Sequence, residues 1–276
     1  MTTPDPKTML AQRLMDGLIQ GAPDAVRSLF DGPADIDDPF AGRQIDGGFE
    51  SLVRNWGPAR LATVKAVRLD HSTIGAGGRF CGTEFELTLD KGGRSTTLNV
   101  VAVIEFAGDR MRRTRLYYRR ARVDGMQHVR NRILDSPQHM EPFLPVVARY
   151  QAALTAGDAE GQAATFSPHG RFDGHGESTD LGDGVGMGIY EGRETIRKVL
   201  VQMFGIIDKD AGHSATGQHG ANIEKLNIFS DGRTTIMEFN IIDPNHPTNR
   251  VHAGVAAYEV GDDGLIREAR VYDEAW

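Results

Sequence analysis

The sequence predicts an α+β chain made of two copies of one unit, each copy having three helices followed by a mostly antiparallel sheet. Three pairs of segments predict it. Residues 11–30, AQRLMDGLIQGAPDAVRSLF, match residues 147–166, VARYQAALTAGDAEGQAATF. GRQIDGGFESLVRNW matches EGRETIRKVLVQMF, and VVAVIEFAGDRMRRTRLYYRR matches GVAAYEVGDDGLIREARVYDE. At roughly 100 to 200 residues per domain, 276 residues accommodate two small domains.

The elements follow from periodicity and punctuation. In the first pair, apolar residues recur at helical spacing, a Gly and a short break with Asp interrupt them, and a second amphipathic turn ends in Phe. This reads as helix, tight turn, helix. The second pair is a Gly-Arg followed by a third helix. KAVRLDHSTI, RFCGTEFELTLD and TTLNVVAVIEF then read as strands, as do GANIEKLNIFS, RTTIMEFNIID and RVHAGVAAYEV. All are short β-branched runs divided by Gly, Asp or Pro, the pattern of an antiparallel meander. Each copy closes with a strand, a Gly-Asp turn and an alternating strand. The expected division is residues 1–124, a polar linker at 125–140 with a short linking helix, and residues 141–276.

Composition narrows the function classes. Charged residues at 25% and hydrophobic ones at 39% are ordinary globular values. The single Cys81 excludes an intrachain disulfide framework. No stretch approaches the roughly 18 apolar residues that span a bilayer, and residues 1–20 have no basic stretch followed by an apolar one, so the chain reads as cytoplasmic with no membrane partner. A formal charge of −7 gives no general field for phosphate backbones, and nucleic acid is not an expected partner.

Two helices ending in Phe, an Asp-bearing loop, a Gly-Arg helix and a closing hairpin of the form GDDGLIREARVYD resemble the nuclear-transport-factor-2-like (NTF2-like) superfamily, in its SnoaL-like and ketosteroid-isomerase-like branch. The resemblance covers nearly the whole chain, twice. It implies two tandem cone-shaped α+β barrels, each a curved sheet wrapped around helices with an apolar pocket between them. It also implies that the two halves pair through their sheets within one chain; further assembly into a homo-oligomer is left open. The fold hosts isomerases, cyclases, dehydratases, epoxide hydrolases, cofactor-free lyases and binding domains, so it does not decide the chemistry.

Candidate residues follow from that likeness. In the ketosteroid-isomerase branch a first-helix Tyr donates to a developing oxyanion while an Asp takes the proton, a pairing for which that enzyme is the standard worked case. The matching positions here are Tyr150 in ARYQAALTAGD and Asp38 in IDDPF. Leu14 occupies the first half's Tyr position, and in GRFDGHG Asp173 is the nearest carboxylate, followed by His175. SnoaL-like cyclases carry a strand His and a late Asp, matched by His252 and Asp273; Asn99 and Arg119 take those places in the first half. For Tyr150 and His252 the bland alternatives are a core tyrosine and a satisfied structural histidine, and for each Asp a turn-forming carboxylate.

The stretch RMRRTRLYYRRAR carries seven arginines in thirteen residues. Most simply it is an ion-paired strand. The sharper alternative is that Tyr118 or Arg119 enters the first pocket and holds an anionic or phenolic oxygen. The nine histidines lack the i, i+4 spacing of a zinc hydrolase and a Cys companion, so neither a metal nor an organic cofactor is expected. The Gly-rich LGDGVGMGIYEG follows no βαβ strand and lacks a Lys-Ser/Thr ending, and it reads as a loop over the pocket mouth. Together these predict a cofactor-independent lyase or isomerase working by general acid–base catalysis on a small, largely apolar, oxygenated aromatic or polycyclic substrate, such as a lignin-derived aromatic dimer open to C–C cleavage or deformylation. The competing readings are a polyketide cyclase, dehydratase or epoxide hydrolase, and a non-catalytic small-ligand-binding module.

Overall fold

A computed structural model describes residues 4–126, 128, 130–174, 188–210, 223–243 and 250–272. The chain divides into two compact units, one within residues 4–133 and the other spanning Leu134–Tyr272.

The first unit opens with helix α1 (Pro6–Gln20) and the short α2 (Pro23–Arg27). Asp5 starts α1 by accepting from the Lys7 amide at 2.8 Å, ahead of a proline in the first turn where no amide hydrogen is needed. Gly21, at φ 59°, ends it in the left-handed conformation that suits glycine. Gly17 lets the two helices approach, since a Cβ there would lie 2.5 Å from Val26 Cγ2. Strands β1 (Asp35–Asp38) and β2 (Gly42–Ile45) come next, then α3 (Phe49–Arg54) and α4 (Gly57–Leu61). Strands β3 (Thr63–Ile74), β4 (Phe80–Lys91), β5 (Arg94–Ala107) and β6 (Arg110–Tyr117) form the expected meander, followed by α5 (Ala121–Asp124). The sheet order is β2-β1-β6-β5-β4-β3, antiparallel except where β1 runs parallel to β6.

The second unit repeats the plan. A two-residue strand, β7 (His139–Met140), precedes α6 (Pro145–Ala156) and α7 (Ala159–Ala163). Helix α6 ends at Gly157, φ 68°, and Asp158 then caps α7 by accepting from the Gly161 amide at 2.8 Å. Strands β8 (Phe166–Asp173) and β9 (Ile189–Glu191) lead to α8 (Arg193–Asp210). The remaining strands are β10 (Ile223–Ser230), β11 (Thr234–Asp243), β12 (Arg250–Val260) and β13 (Ile266–Tyr272). Their order is β7-β10-β11-β12-β13-β8-β9, with β8 parallel to β13 and β7 parallel to β10.

Each sheet packs its helices on one face. Leu14, Leu18, Val53 and Trp56 meet Phe85, Val100, Ala102 and Leu116 in the first unit. In the second, Val147, Tyr150 and Ile196 meet Met237, Ala256, Tyr258 and Ala269. Fully burying one such side chain contributes about 1.5–3 kcal/mol, so this inner face dominates the stability of each unit.

One expectation is corrected. The Asp-bearing segments after the second helices are strands, β1 and β8, each parallel to its unit's last strand. Aspartate is depleted in strands, which hid them from the sequence pattern. The residues read as a linker are also engaged, since β7 joins the second sheet and Arg130 pairs with Asp37 at 3.2 Å in the first unit.

Candidate functional site

Strand alternation fixes which aspartates of the first unit face the helices. Ile36 belongs to the inner core, so Asp38 points the same way, while Asp35 and Asp37 point outward. Asp38 is 2% exposed. Its Oδ1 accepts from the backbone amides of Phe40 at 2.9 Å and Ala41 at 3.1 Å, closing the turn around Pro39. Its Oδ2 accepts from the Tyr118 hydroxyl at 2.6 Å and from Trp56 Nε1 at 3.1 Å. Four donors occupy the lone pairs of one buried carboxylate, which meets the cost of taking that charge out of water.

The groups around this carboxylate are aromatic. Trp56 meets Tyr118 edge-on at 6.1 Å between ring centroids, and Phe40 lies 6.2 Å from Tyr118 on another side. Phe40 rests against Gly57, where a Cβ would come within 2.5 Å of its ring. The Arg120 guanidinium stacks on Phe40 at 4.2 Å from the centroid, and Arg120 Nη2 reaches Asp124 at 3.3 Å. His128 Nε2 contacts the same Asp124 oxygen at 2.8 Å. Partial burial pushes the Asp124 carboxyl up, but the Met126 amide, His128 and Arg120 together hold it below the ordinary carboxylate range. Sequence reasoning named Asp38 and Tyr118 but missed Trp56, Phe40 and Arg120. An indole at the end of a helix and an aromatic after Asp-Pro were the available signals.

The outward carboxylates form ion pairs. Asp35 takes a two-pronged contact from Arg43 at 2.6 and 2.9 Å, and Asp37 pairs with Arg130 and, at 3.9 Å, with Arg113. Burial pushes Asp37 up from the ordinary range, and Arg130 and Arg113 pull it back only in part. The arginine-rich strand thus supplies ion pairs at Arg113, while Tyr118 joins Asp38. Arg119 is half-buried just past the end of β6.

The second unit arranges its candidates differently. Asp173 stands opposite Arg270 in the β8–β13 register, as Asp37 stands opposite Arg115 in β1–β6. It therefore corresponds to Asp37, and Gly174 takes the place of Asp38. Phe172 points into the core, so Asp173 lies on the outer face, 2.8 Å from Arg171, and not on the face of Tyr150. Tyr150 and Leu14 each precede their glycine cap by seven residues, so the expected match between them stands. Tyr150 packs edge-on against Phe166 at 5.8 Å and against Tyr258 at 5.1 Å. Burial pushes its phenol well above the ordinary range, with the Gln162 side chain opposing, so it stays a neutral donor.

His252 is buried opposite Ile241, on the same sheet face as Ala256 and Tyr258. Six residues separate it from Tyr258, a span of roughly 20 Å along a strand. Tyr150 therefore meets the far end of the strand from His252. Asp273, His175 and most of the Gly-rich run lie outside the described residues. The proposed counterparts also shift. Val101 pairs with Tyr117 as Val255 pairs with Tyr272, so Leu98 replaces Asn99 as the counterpart of His252. By the same register Tyr118, not Arg119, corresponds to position 273. On the last strand the slip follows from the turn, which places four residues between the paired Phe106 and Met111 but five between Val260 and Ile266. Among the described residues, no three His, Cys, Asp or Glu side chains gather as a metal site, and no helix is long and apolar enough to cross a membrane.

No family model matches the chain, and neither does any curated protein. Similar solved structures each align with about half of it. One is the epoxide hydrolase/cyclase-like enzyme SalBIII, which has a role in pyran ring formation in polyether salinomycin, at 17% identity over 46% of this chain and 87% of that one, TM-score 0.32. Another is an NTF2-like protein of unknown function from Mesorhizobium loti, at 14% identity over 50% and 100%, TM-score 0.35. A third is a protein with a cystatin-like fold from Silicibacter pomeroyi, at 17% identity over 49% and 77%, TM-score 0.34.

Proposed function

We propose that the chain is an acid–base enzyme of the isomerase or lyase type, acting without metal or organic cofactor on a small, largely apolar, oxygenated molecule, with its working centre at Asp38, Tyr118 and Trp56. The observation that carries this reading is the 2.6 Å bond from Tyr118 to a buried carboxylate enclosed by aromatic rings. Asp38, fixed by two amides and an indole, acts as an orienting acceptor. It holds the phenolic O–H directed at its own Oδ2. As a proton leaves an O–H or acidified C–H of the substrate for the Tyr118 oxygen, the phenolic proton passes to Asp38. The reverse transfer returns a proton to a different substrate atom, and no net charge is created. Proton transfer of this kind contributes about 10²–10⁴ in rate.

The test is turnover of a panel of phenolic dimers, steroids and polyketides by the full chain, read by mass spectrometry. Tyr118→Phe and Asp38→Asn should each lower turnover by about 10²–10⁴ with the circular dichroism spectrum retained. Wild-type turnover by Tyr118→Phe overturns the assignment. A second reading puts the chemistry in the other unit, because Tyr150 is kept neutral and His252 shares its sheet face. Loss of turnover in Tyr150→Phe and His252→Ala, with Tyr118→Phe unaffected, would select it. Binding by the wild type with no turnover of any compound would select a ligand-binding module.

A further inference from the structure

We infer that each unit carries a surface site for a phosphate group, made of two exposed arginines that share one glutamate: Arg79, Glu105 and Arg112 in the first unit, Arg233, Glu259 and Arg267 in the second. None of these residues takes part in the chemistry proposed for Asp38 and Tyr118. The two sets occupy equal places. Phe80 is the register partner of Glu105 and Thr234 that of Glu259, and Arg79 and Arg233 each stand one residue before that partner. On the other side Glu105 pairs with Arg113 and Glu259 with Glu268, and Arg112 and Arg267 again stand one residue before. Both copies thus keep the same three residues on three different segments, whereas their inner-face polar groups differ. An exposed ion pair contributes only about 0–1 kcal/mol to stability, a weak reason for building the same set twice.

Charge and donor arithmetic point to an anion. Arg79 gives Nε at 3.3 Å and Nη2 at 2.8 Å to Glu105 Oε1, and Arg112 reaches the same oxygen from Nη1 at 3.5 Å. In the second unit Arg267 Nη2 lies 2.6 Å and Arg233 Nε 3.3 Å from Glu259 Oε1. Arg270, 3.6 Å from the other oxygen of Glu259, is committed to Glu268 at 2.7 Å. Each site therefore sets two guanidinium charges on one carboxylate oxygen, with N–H groups of both forks outside these contacts. The four arginine side chains are 52–66% exposed, against 13% for Glu105 and 8% for Glu259, so the glutamate lies beneath and the forks face water. The ratio is reversed at Arg68, 3.0 Å from both Asp70 and Glu86, and at Arg197, 2.7 Å from both Glu160 and Glu194. Arg79 also stacks on Phe80, 5.2 Å from the ring centroid, which limits its rotation. Two forks tethered at one point can each give an N–H to a different oxygen of a tetrahedral dianion. The second site is the more acidic of the two, since Asp231, Asp262 and Asp263 lie in its adjoining turns where the first has Asp109.

The probe is inorganic phosphate, exchanged for chloride at constant ionic strength and titrated against the full chain. Binding is read from the Nε–Hε NMR signals of the arginines, assigned through single Arg→Gln variants. Arg79, Arg112, Arg233 and Arg267 should shift saturably, the first pair at about threefold lower phosphate than the second, while Arg68 and Arg197 stay in place. Arg112→Gln should weaken phosphate binding at Arg79 about fivefold or more and leave Arg233 and Arg267 unaffected. Arg112→Lys, which keeps the charge and loses the fork, should weaken it less. Glu105→Gln should tighten binding about two- to fivefold, because it removes the opposing charge while its amide oxygen still accepts from Arg79. Phenyl phosphate in place of phosphate separates the sources: tighter binding assigns a phosphorylated molecule and equal binding the free ion, and both support the site. Shifts no larger at the four arginines than at Arg68 and Arg197, shifts without saturation, binding at Arg79 that survives Arg112→Gln, or weaker binding by Glu105→Gln overturns the proposal. Tyr118→Phe should leave the titration unchanged whatever it does to turnover, so the two readings fail separately.

Discussion

The two units share one register and differ in which inner-face positions are polar. Asp37 opposite Arg115 and Asp173 opposite Arg270 mark the same place on the two sheets. From that common point the first unit continues with Asp38, which reaches Tyr118 and Trp56, while the second continues with Gly174. Conversely, the second unit has Tyr150 and His252 where the first has Leu14 and Leu98. An ion-paired outer-face aspartate is common to both copies, held by Arg130 and Arg113 in the first and by Arg171 in the second, and belongs to the scaffold. The inner-face polar groups are particular to each copy, and they are where the two copies diverge.

The largest expected contrast is between Asp38→Ala and Asp173→Ala. Removing Asp38 strands two amides, an indole N–H and a phenol in a dry interior, at a cost of about 3–5 kcal/mol. Asp173 pairs with an Arg171 side chain that is 38% exposed, and its loss should cost about 1–2 kcal/mol after allowance for solvent screening. Urea unfolding followed by circular dichroism measures both. A cost for Asp173→Ala equal to or above that for Asp38→Ala would mean that the outer-face pair, and not the inner cluster, holds the parallel strand in place.

The next contrast is between the phenols. Tyr118→Phe loses a 2.6 Å bond to a charged acceptor and should cost about 1.5–3 kcal/mol, whereas the Tyr150 hydroxyl bonds the neutral Gln162 side chain and Tyr150→Phe should cost about 0.5–1.5 kcal/mol. Gly57→Ala sharpens the same comparison from the backbone side. Its methyl group would displace Phe40 and loosen the ring against Tyr118, an overpacking cost of about 1–3 kcal/mol. If Gly57→Ala unfolds like wild type and leaves Trp56 fluorescence unchanged, Phe40 is not held against the backbone as described.

Much of the fold was legible because helices and meander strands are written in local periodicity and in glycine punctuation. Gly21 and Gly157 end their helices as their spacing suggested. The parallel strands β1 and β8 were not legible. Their partners lie about 80 to 100 residues away in sequence, and their Asp content masks the strand signal. That omission carried over to the site. Without the parallel pairing nothing distinguishes Asp37 from Asp38, or shows that Asp173 matches the outward one of the two. Tyr118 and Asp38 were visible as residues, but their 2.6 Å contact joins segments separated by 80 residues. Trp56 and Arg120 had no family motif to mark them, and only packing reveals that the indole bonds Asp38 while the guanidinium stacks on the neighbouring Phe40.

The smallest contrast is in alkaline stability. Tyr150 is pushed above its ordinary value by burial, with Gln162 opposing, and Leu14 at the matching place of the first unit carries no proton to lose. In the unfolded chain the Tyr150 phenol ionises near pH 10, while in the folded chain it stays protonated. Between those two values the folded state binds the extra proton. This contribution is therefore fully present below about pH 10 and is lost as pH rises from there through the raised value. Tyr150→Phe should flatten the fall in stability above pH 10 relative to wild type, with little change in slope near neutrality. Leu14→Met, a near-isosteric change at the matching position, should leave the alkaline slope as it is. Equal slopes for wild type and Tyr150→Phe would mean that this phenol reaches water in the folded state. The second unit's inner face would then be as open at Tyr150 as the first is closed at Leu14.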